Sequence, residues 1–319
     1  MLSAFTLNNN RLSQIHLEED DDLCTDSPIW IDLISATNEE RIWIEQTYHL
    51  TLPKPEHLRD IEASARFYEE KGELHLRSDF LLGKQSDSRS VTVAFVLTGD
   101  ILISVHDEDL PVFHSLRTQT HLQSGEIGSS KDVLMDLYSM DVEFSADALE
   151  EVYADLGQVS QAVLQTRISD KEAADVLAGI AQAEHLNGRI RRNVMDTRRA
   201  MSFLMRSKLL SPAQHEDARQ IMQDIDSLDG HTSFLFDKIN FLMSATVGFI
   251  NINQNKVVRL FSVASVTLLP PMLIASIYGM NFHNMPELDW AAGYPFALVL
   301  MVLSVVLPFW LFHRKGWLK

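Results

Sequence analysis

Polar residues recur at regular spacing inside a strongly apolar stretch near the C-terminus. Taken at the a and d positions of a heptad, this stretch places six residues on one helix face: Asn255, Val258, Ser262, Ser265, Leu269 and Met272. Three of the six are polar, and polar side chains in an apolar helix are costly unless they face protein or water. The pattern indicates a water-lined pathway, with a serine-rich helix packing seam as the alternative.

A neutral amide, Asn281, follows the end of this stretch within the sequence Tyr-Gly-Met-Asn-Phe, residues 278–282. Repeated around the axis of a symmetric oligomer, Asn281 would form a ring of amide oxygens. Mg²⁺ gives up its water reluctantly, so hydrogen-bond acceptors that contact its hydration shell suit a hydrated ion. The nearby carboxylates of Glu287 and Asp289 would assist its capture. The alternative for Gly279 and Asn281 is a simple helix C-cap.

Two long runs without a charged residue are the elements that must position this motif. They cover residues 260–277 and 294–312, which are 18 and 19 residues long. A bilayer core of about 30 Å is crossed by about 20 apolar residues in a helix. We therefore predict two transmembrane helices, over about 257–278 and 294–313, joined by a loop at 279–293. A pair of buried helices in a soluble core is the alternative.

Side chains at the ends of these runs support two membrane spans and indicate how the spans are oriented in the membrane. Aromatic residues near the ends form a candidate interfacial belt: Tyr278, Trp290, Tyr294, Trp310 and Trp317. The segment between the two runs contains no Lys or Arg. Basic residues instead flank the pair of runs: Lys256, Arg259, Arg314, Lys315 and Lys319. By the positive-inside rule both termini are cytoplasmic and the loop is outside.

The first 128 residues are predicted to form a cytosolic α/β domain. Four segments alternate or are rich in β-branched residues, as strands do: 29–34, 73–82, 91–97 and 101–105. The sequence Thr-Gly-Asp at 98–100 favours a hairpin turn between the last two. Residues 56–70 have the pattern of a helix.

Residues 129–254 are predicted to form a helical stalk domain, and residues 255–319 a two-helix transmembrane domain. Helical patterns cover residues 131–165 and the segment from Ser169 to about Ser207, which opens with a capping box. A second box places Ser211 at an N-cap, Pro212 at the first helical position and Gln214 three residues after the cap. The next proline is Pro270, so we predict one helix of about 100 Å from Pro212 to about Tyr278, with a break at Gly230 as the alternative.

Composition excludes several classes of protein. The 27 Lys and Arg against 44 Asp and Glu give a net charge of −17, which argues against nucleic acid as a partner and favours cations. The single cysteine, Cys24, cannot form an intrachain disulfide. The chain carries no nucleotide-loop, zinc-protease or serine-hydrolase motif, so an enzyme is not expected.

The loop motif resembles one known family. The sequence Tyr-Gly-Met-Asn-Phe at 278–282, followed by Met-Pro-Glu-Leu at 285–288 between the only two spans, is similar to the CorA family of magnesium and cobalt transport proteins. Residues 60–67, the Phe-Ile-Asn-Ile segment at 249–252 and the Leu-Pro-Pro segment at 269–271 carry the resemblance along the whole chain.

This resemblance implies a fold and a function. It implies an α+β membrane protein of the bacterial inner membrane, a homopentameric channel with a cytosolic funnel domain and long stalk helices. Mg²⁺, and also Co²⁺ or Ni²⁺, would enter the cell under the membrane potential, and intracellular Mg²⁺ would hold the pore shut without an organic cofactor. Asp217 and Asp224, one heptad apart on the stalk, are compatible with such regulatory binding, with solvated surface acids as the alternative. Gly279, Met280 and Asn281 would form the external mouth. A zinc transporter on the same scaffold, or a membrane-anchored sensor without ion flux, are the alternatives.

Overall fold

The computed structural model describes residues 1–8, 11–15, 28–53, 66–84, 88–119, 127–163, 170–280, 285–286 and 290–316. The chain forms two compact units. The first contains residues 1–167 and 174–243, and the second contains residues 168–173 and 244–319. The acidic run at 18–22, Cys24 and the cap residue Ser169 lie outside the described residues.

A seven-stranded mixed sheet is the centre of the first unit. Its strands are β1 (Leu2–Asn8), β2 (Arg11–Ile15), β3 (Trp30–Ile34), β4 (Phe67–Glu70), β5 (Glu73–Leu82), β6 (Arg89–Thr98) and β7 (Ile101–His106). Their spatial order is β2-β1-β3-β7-β6-β5-β4, with β3 and β7 parallel and all other neighbours antiparallel. The four predicted strands are therefore confirmed as β3, β5, β6 and β7.

The hairpin between β6 and β7 has the predicted tight turn. Thr98 pairs with Ile101, which leaves Gly99 and Asp100 as a two-residue connection. Gly99 has a φ of 53°, a left-handed conformation that glycine adopts without steric cost. The Thr-Gly-Asp prediction is confirmed.

Helices cover both faces of this sheet, which explains its nearly continuous apolar strands. The helix α1 (Asn38–Tyr48) contributes Ile44 to a core with Ile31, Val96 and Ile103. On the opposite face, α2 (Pro111–Gln119) and α3 (Ser130–Val163) contribute Phe113 and Tyr138, whose ring centroids lie 5.6 and 5.9 Å from that of Phe80. Neighbouring residues of one strand thus point into two different cores.

The helix predicted over residues 56–70 is wrong at its C-terminal end. Residues 54–65 lie outside the described residues, but Phe67–Glu70 form β4 instead of continuing the helix predicted over 56–70. These four residues pair with β5 through the contacts Phe67 to Leu76 and Glu70 to Glu73. The pairing and the burial of Phe67 outweigh the helical propensity of two glutamates, which an edge strand accommodates because their side chains reach water.

Three long helices follow the sheet. They are α3, α4 (Asp170–Arg206) and α5 (Pro212–Tyr278), and α6 (Gly293–Arg314) completes the chain. The capping box at the start of α5 is confirmed: Gln214 N donates to Ser211 Oγ at 3.3 Å, and Ser211 N donates to Gln214 Oε1 at 3.0 Å. The helix α5 runs for 67 residues without a break at Gly230, as predicted.

A buried carboxylate ties α3 to α4. Asp141 is fully buried and accepts hydrogen bonds from Asn193 Nδ2 at 3.0 and 2.9 Å and from Thr197 Oγ1 at 3.0 Å. Burial raises the pKa of Asp141 to about 7, although the bonds from Asn193 and Thr197 lower it. Burial also raises the pKa of Asp196, on the same helix as Asn193, to about 6, against the lowering effect of Arg66.

Stability of this unit should depend on pH through Asp141. The pKa of Asp141 in the folded state lies above 3.8, the ordinary value of an aspartate, so the proton it retains stabilises the fold at low pH. That contribution is lost as the pH rises through about 7. We expect the thermal midpoint of the purified protein to fall between pH 5.5 and 8, and Asp141→Asn to flatten this dependence.

The exposed Asp147, on the same helix, is the matched control. Asp147→Asn removes the same charge from a side chain that is 60% exposed, and it should leave the pH dependence as in the wild type. An unchanged pH dependence in Asp141→Asn would contradict the assignment.

Candidate functional site

Two helices are long and apolar enough to cross a membrane. Among the described residues, only α5, through an apolar window of its 67 residues, and α6, over 22 residues, meet these criteria of length and composition. Few residues in either window are buried within the chain, unlike those of a core helix in a soluble protein. The geometry supports the membrane interpretation over the soluble-core alternative.

Each of these two helices has one buried or half-buried side. On α5 this side includes Val263, Thr267 and Ile274, and on α6 it includes Gly293 and Ala297. The positions recur every three or four residues, as on one face of a helix. Because both segments belong to the second unit, we infer that these sides pack on each other.

The predicted polar stripe lies on the opposite side of α5. All six residues are exposed: Asn255, Val258, Ser262, Ser265, Leu269 and Met272. At about 100° per residue, the centre of this stripe is about 150° from the side that contains Val263 and Thr267. The stripe is therefore free to meet water, lipid or another copy of the chain.

Hydrogen bonding distinguishes the polar members of the stripe. Ser262 Oγ donates to Val258 O at 2.9 Å, a bond within the helix that satisfies the hydroxyl in any surroundings. The side chains of Ser265 and Asn255 make no hydrogen bond to any residue that the structure describes. A polar side chain without a hydrogen-bond partner costs roughly several kcal/mol in hydrocarbon. We therefore expect the exposed side chains of Ser265 and Asn255 to contact water or a polar partner.

The second span contributes no comparable stripe. Its one serine, Ser304, donates to Met301 O at 2.7 Å and is half-buried. It lies on the same side of α6 as the buried Ala297. The exposed side of α6 is apolar, with Val302, Val306 and Leu307. An apolar surface of this kind is suited to contact with lipid.

Two adjacent prolines remove backbone hydrogen bonds from the first span. Pro270 and Pro271 lie inside α5 without ending it. Since proline has no N–H, the carbonyl groups of Val266 and Thr267 lose their partners four residues ahead. Val266 is 46% exposed and lies one position after Ser265. Its carbonyl adds a further polar group close to the stripe.

The predicted capture motif begins where α5 ends. Gly279 N donates to Ala275 O at 2.9 Å, and Met280 N donates to Ile277 O at 3.2 Å, so the last turn tightens at this point. A Cβ at Gly279 would lie 3.1 Å from Ala275 O, which makes glycine the best fit. Asn281, Glu287 and Asp289 lie outside the described residues. Their proposed roles stay predictions.

The ends of both helices carry the predicted interfacial side chains. Trp290, Tyr294 and Trp310 are exposed, and the Arg314 guanidinium lies 5.4 Å from the centre of the Trp310 ring. Tyr278 is half-buried at the end of α5, and Trp317 lies outside the described residues. Aromatic and basic side chains of this kind are typical of membrane interfaces.

The two stalk carboxylates do not form a site within one chain. Asp217 and Asp224 are exposed on α5 and lie about 10 Å apart along the helix axis, too far to share one ion. No group of three or more metal-ligating acidic, His or Cys side chains occurs among the described residues. A metal site that uses Asp217 or Asp224 would need ligands from elsewhere.

Sequence reasoning missed a buried polar cluster at the carboxyl ends of β3 and β7. Asp32 Oδ1 accepts from Ser104 Oγ at 2.6 Å and contacts His106 Nε2 at 2.9 Å, while Arg117 Nη1 lies 2.8 Å from Asp32 Oδ2. Burial lowers the pKa of His106, but the hydrogen bond and charge of Asp32 outweigh it and raise that pKa overall.

This cluster does not have the geometry of a hydrolase triad. Ser104 and His106 both contact Asp32 and are buried to 0% and 1% exposure, so no substrate reaches the hydroxyl. Asp32 lies 72, 74 and 85 residues before Ser104, His106 and Arg117 in the sequence. No local sequence pattern could have revealed it.

The fold and the two apolar helices define a class of protein: a two-span membrane protein with a large α/β and helical unit outside the spans. The profile of the family described as "CorA-like Mg2+ transporter protein" matches residues 25–314. The chain belongs to that family, which confirms the resemblance of the loop motif. Because this is a family of transporters, the expectation that the chain is not an enzyme is also confirmed.

Individual relatives match the chain over its full length. It is 41% identical to the magnesium transport protein CorA of Escherichia coli K12 and 42% identical to that of Pectobacterium atrosepticum, with 100% of both chains covered in each case. The solved structure of the CorA magnesium transporter from Methanocaldococcus jannaschii matches with a TM-score of 0.81 at 16% identity, over 99% of this chain and 98% of the other. The structural match shows the shared fold.

If the polar stripe of α5 contacts water, a thiol placed on it should react with a water-soluble reagent. Because Cys24 is the only cysteine, a Cys24→Ser background allows one thiol to be introduced at a time. We expect the thiol of Ser265→Cys to react with a charged maleimide in the purified protein, because the reactive thiolate forms only in contact with water.

The thiol of Ser304→Cys is the matched control and should react at least about tenfold more slowly, because it lies between the two helices, away from water. The labelled fraction is measured by mass spectrometry over time. Equal rates at the two positions would show that the stripe is not in contact with water.

Proposed function

We propose that the chain is a divalent cation channel that mediates Mg²⁺ influx across the bacterial inner membrane. The observation that carries the proposal is the exposed polar stripe of α5, in which Asn255 and Ser265 have no hydrogen-bond partner among the described residues. The relatives from Escherichia coli and Pectobacterium atrosepticum are both named magnesium transport proteins, which supports Mg²⁺ as the cargo. Co²⁺ and Ni²⁺ also accept octahedral oxygen surroundings and are further candidate cargoes.

Self-association follows from the number of spans. Two helices cannot enclose a pore, so the stripe becomes a pathway only when several copies place it around one axis. Apolar residues flank the stripe on both sides of α5, with Phe261 and Leu268 on one side and Val266 and Leu273 on the other. Each flank offers a contact surface to one neighbour, as a ring requires. The family resemblance favours five copies.

Orientation rests on the charges at the ends of the spans. Lys256 and Arg259 precede the apolar part of α5, whereas Arg314 ends α6 and Lys315 follows it. The positive-inside rule then places both termini in the cytoplasm and the loop that contains Asn281 in the periplasm. The ion would reach Asn281 first.

Capture of the ion at the mouth and its passage through the pore would depend on different interactions. A ring of Asn281 amide oxygens accepts hydrogen bonds from the water shell of Mg²⁺ without the attraction of a full charge, so the ion is held weakly enough to leave. The membrane potential contributes about 2.3 kcal/mol per charge per 100 mV, and a divalent ion gains about twice that. Under this proposal no nucleotide hydrolysis drives the transport.

The proposed gate combines an apolar constriction with the stalk carboxylates. Leu269 and Met272 are exposed on the stripe and would form apolar rings that exclude water when narrow. Cytosolic Mg²⁺ would bridge Asp217 or Asp224 to carboxylates of a neighbouring copy and hold the rings closed. Loss of that Mg²⁺ would leave like charges that repel one another.

Reconstituted vesicles test the transport function. We expect purified protein in liposomes to admit Mg²⁺ under an inside-negative potential, recorded with a fluorescent Mg²⁺ indicator. Asn281→Ala should lower the initial rate at least about tenfold, which corresponds to about 1.4 kcal/mol of stabilisation at the rate-limiting step.

Asn284→Ala is the matched control, because it removes another neutral amide from the same loop, and it should transport as the wild type does. Equal rates in both variants would remove Asn281 from the mechanism. Zn²⁺ uptake in place of Mg²⁺ uptake would identify a zinc transporter, and no flux of either ion would identify a sensor.

The proposed role of the stalk carboxylates is tested by measuring how Mg²⁺ inside the vesicles inhibits Mg²⁺ uptake. We expect Asp217→Asn with Asp224→Asn to raise the lumenal Mg²⁺ concentration at half-maximal inhibition at least about fivefold, since two ligands per copy lose their charge. The measurement is initial flux against lumenal Mg²⁺ in the same vesicles.

Asp155→Asn with Asp175→Asn removes two exposed carboxylates from α3 and α4 and should leave the inhibition unchanged. Unchanged inhibition in the stalk variant would exclude Asp217 and Asp224 from the gate.

A further inference from the structure

Basic residues are concentrated in one part of this acidic chain. Residues 188–208 contain seven of the 27 Lys and Arg and one acidic residue, Asp196, in a chain with a net charge of −17. This segment covers the C-terminal half of α4 and the first residues after it. None of it belongs to the proposed pore. The concentration of positive charge requires a separate explanation.

A cavity of about 710 Å³ lies beside this segment, within the first unit. Its walls include three arginines and two aromatic rings, together with one carboxylate: Arg198, Arg199, Arg206, Phe67, Phe203 and Glu69. The four residues from α4 fall within about 140° of one another around the helix, at about 100° per residue. They form one face of α4 opposite β4. The volume is in the range of sites for small organic ligands, about 300–1,000 Å³.

The arginines of this cavity retain unused donors. Arg198 pairs with Asp226 at 2.8 Å, and Arg206 Nε donates to Ser202 O at 3.1 Å. Arg199 makes no ion pair or hydrogen bond with the described residues, and Arg206 makes no ion pair with them. Both side chains are exposed. Guanidinium groups so placed are suited to phosphate oxygens, which they bind through two parallel N–H donors.

The other residues that line the cavity offer contacts to a nucleoside that an inorganic anion could not use. Phe67 and Phe203 have ring centroids 6.0 Å apart and form an apolar wall that a purine base could contact. Glu69 is exposed at the cavity and offers an acceptor for the hydroxyl groups of a ribose or the amino group of a base. An inorganic polyphosphate would use neither feature.

We propose that this cavity binds a nucleoside triphosphate in its metal-free form. Arg198 is paired with Asp226, but Arg199 and Arg206 make no ion pair with the described residues and face one lining carboxylate, Glu69. The site therefore favours the ligand with the larger negative charge. A bound Mg²⁺ cancels two of the charges on a triphosphate and weakens its attraction to arginine. If the proposed transport function holds, such a site would sense low cytosolic Mg²⁺, because metal-free nucleotide then becomes more abundant.

Calorimetry on the full-length protein in detergent tests this binding. We expect ATP with EDTA to bind saturably, with affinity at least about tenfold higher than ATP with excess Mg²⁺ or tripolyphosphate with EDTA. In Arg199→Gln with Arg206→Gln, the affinity for metal-free ATP should fall at least about tenfold, because two charge-assisted contacts are lost. Equal affinity for tripolyphosphate would overturn the nucleoside assignment, and equal affinity for Mg²⁺-bound ATP would overturn the preference for the metal-free form.

Lys208→Gln with Arg219→Gln is the control, because it removes the same charge from exposed residues outside the cavity, and it should bind ATP as the wild type does. Wild-type protein that does not bind ATP would overturn the proposal. A change of oligomeric state in the cavity variant, without ATP binding in the wild type, would assign the arginines to a contact between copies instead. The measurement needs no ion flux, so failure of transport in vesicles and failure of ATP binding are separate results.

Discussion

The need to satisfy polar groups in an apolar solvent is the constraint on which the transmembrane part of this chain depends. A helix of the length and composition of α5 enters a bilayer readily, but Asn255 and Ser265 are exposed on it without a partner among the described residues. The side of α5 that contains Val263 and Thr267 is already buried, so α6 cannot serve the polar side. In the proposed channel, water enclosed by several copies would solvate these polar groups.

A different constraint governs the first unit, where carboxylates are taken out of water. Asp32 contacts both Arg117 and His106, and these contacts join β3 and β7 to α2. Asp141 has only neutral side chains as donors, and burial therefore raises its pKa toward neutrality. The two buried carboxylates therefore differ in their partners: Asp32 contacts the cationic Arg117, whereas the described side chains that donate to Asp141 are neutral.

Sequence reasoning succeeded where a local pattern carries the physical cause. The start of α5 was predicted because Ser211, Pro212 and Gln214 satisfy the free N–H groups of a helix end within four residues. The strands β5 to β7 were predicted because alternation and the turn at Gly99 are local as well. It failed at β4, where pairing with β5 decides the structure, and at Asp32, whose partners Ser104, His106 and Arg117 are brought close only by the sheet. The stripe of α5 was predicted as a helix face, but the side occupied by α6 could not be read from one helix alone.

The placement of the two prolines adds a mechanical argument to the proposed gate. Pro270 and Pro271 delete two consecutive backbone hydrogen bonds of α5 and lie between Leu269 and Met272, the residues of the proposed constriction. A helix bends most easily where its hydrogen bonds are missing, and the bilayer raises the cost of breaking any others. A small change of angle here would move Met272 relative to Ser265 while both helical segments stay intact. The constriction would therefore open or close by a rigid movement of two segments, which the stalk end of α5 is able to bias.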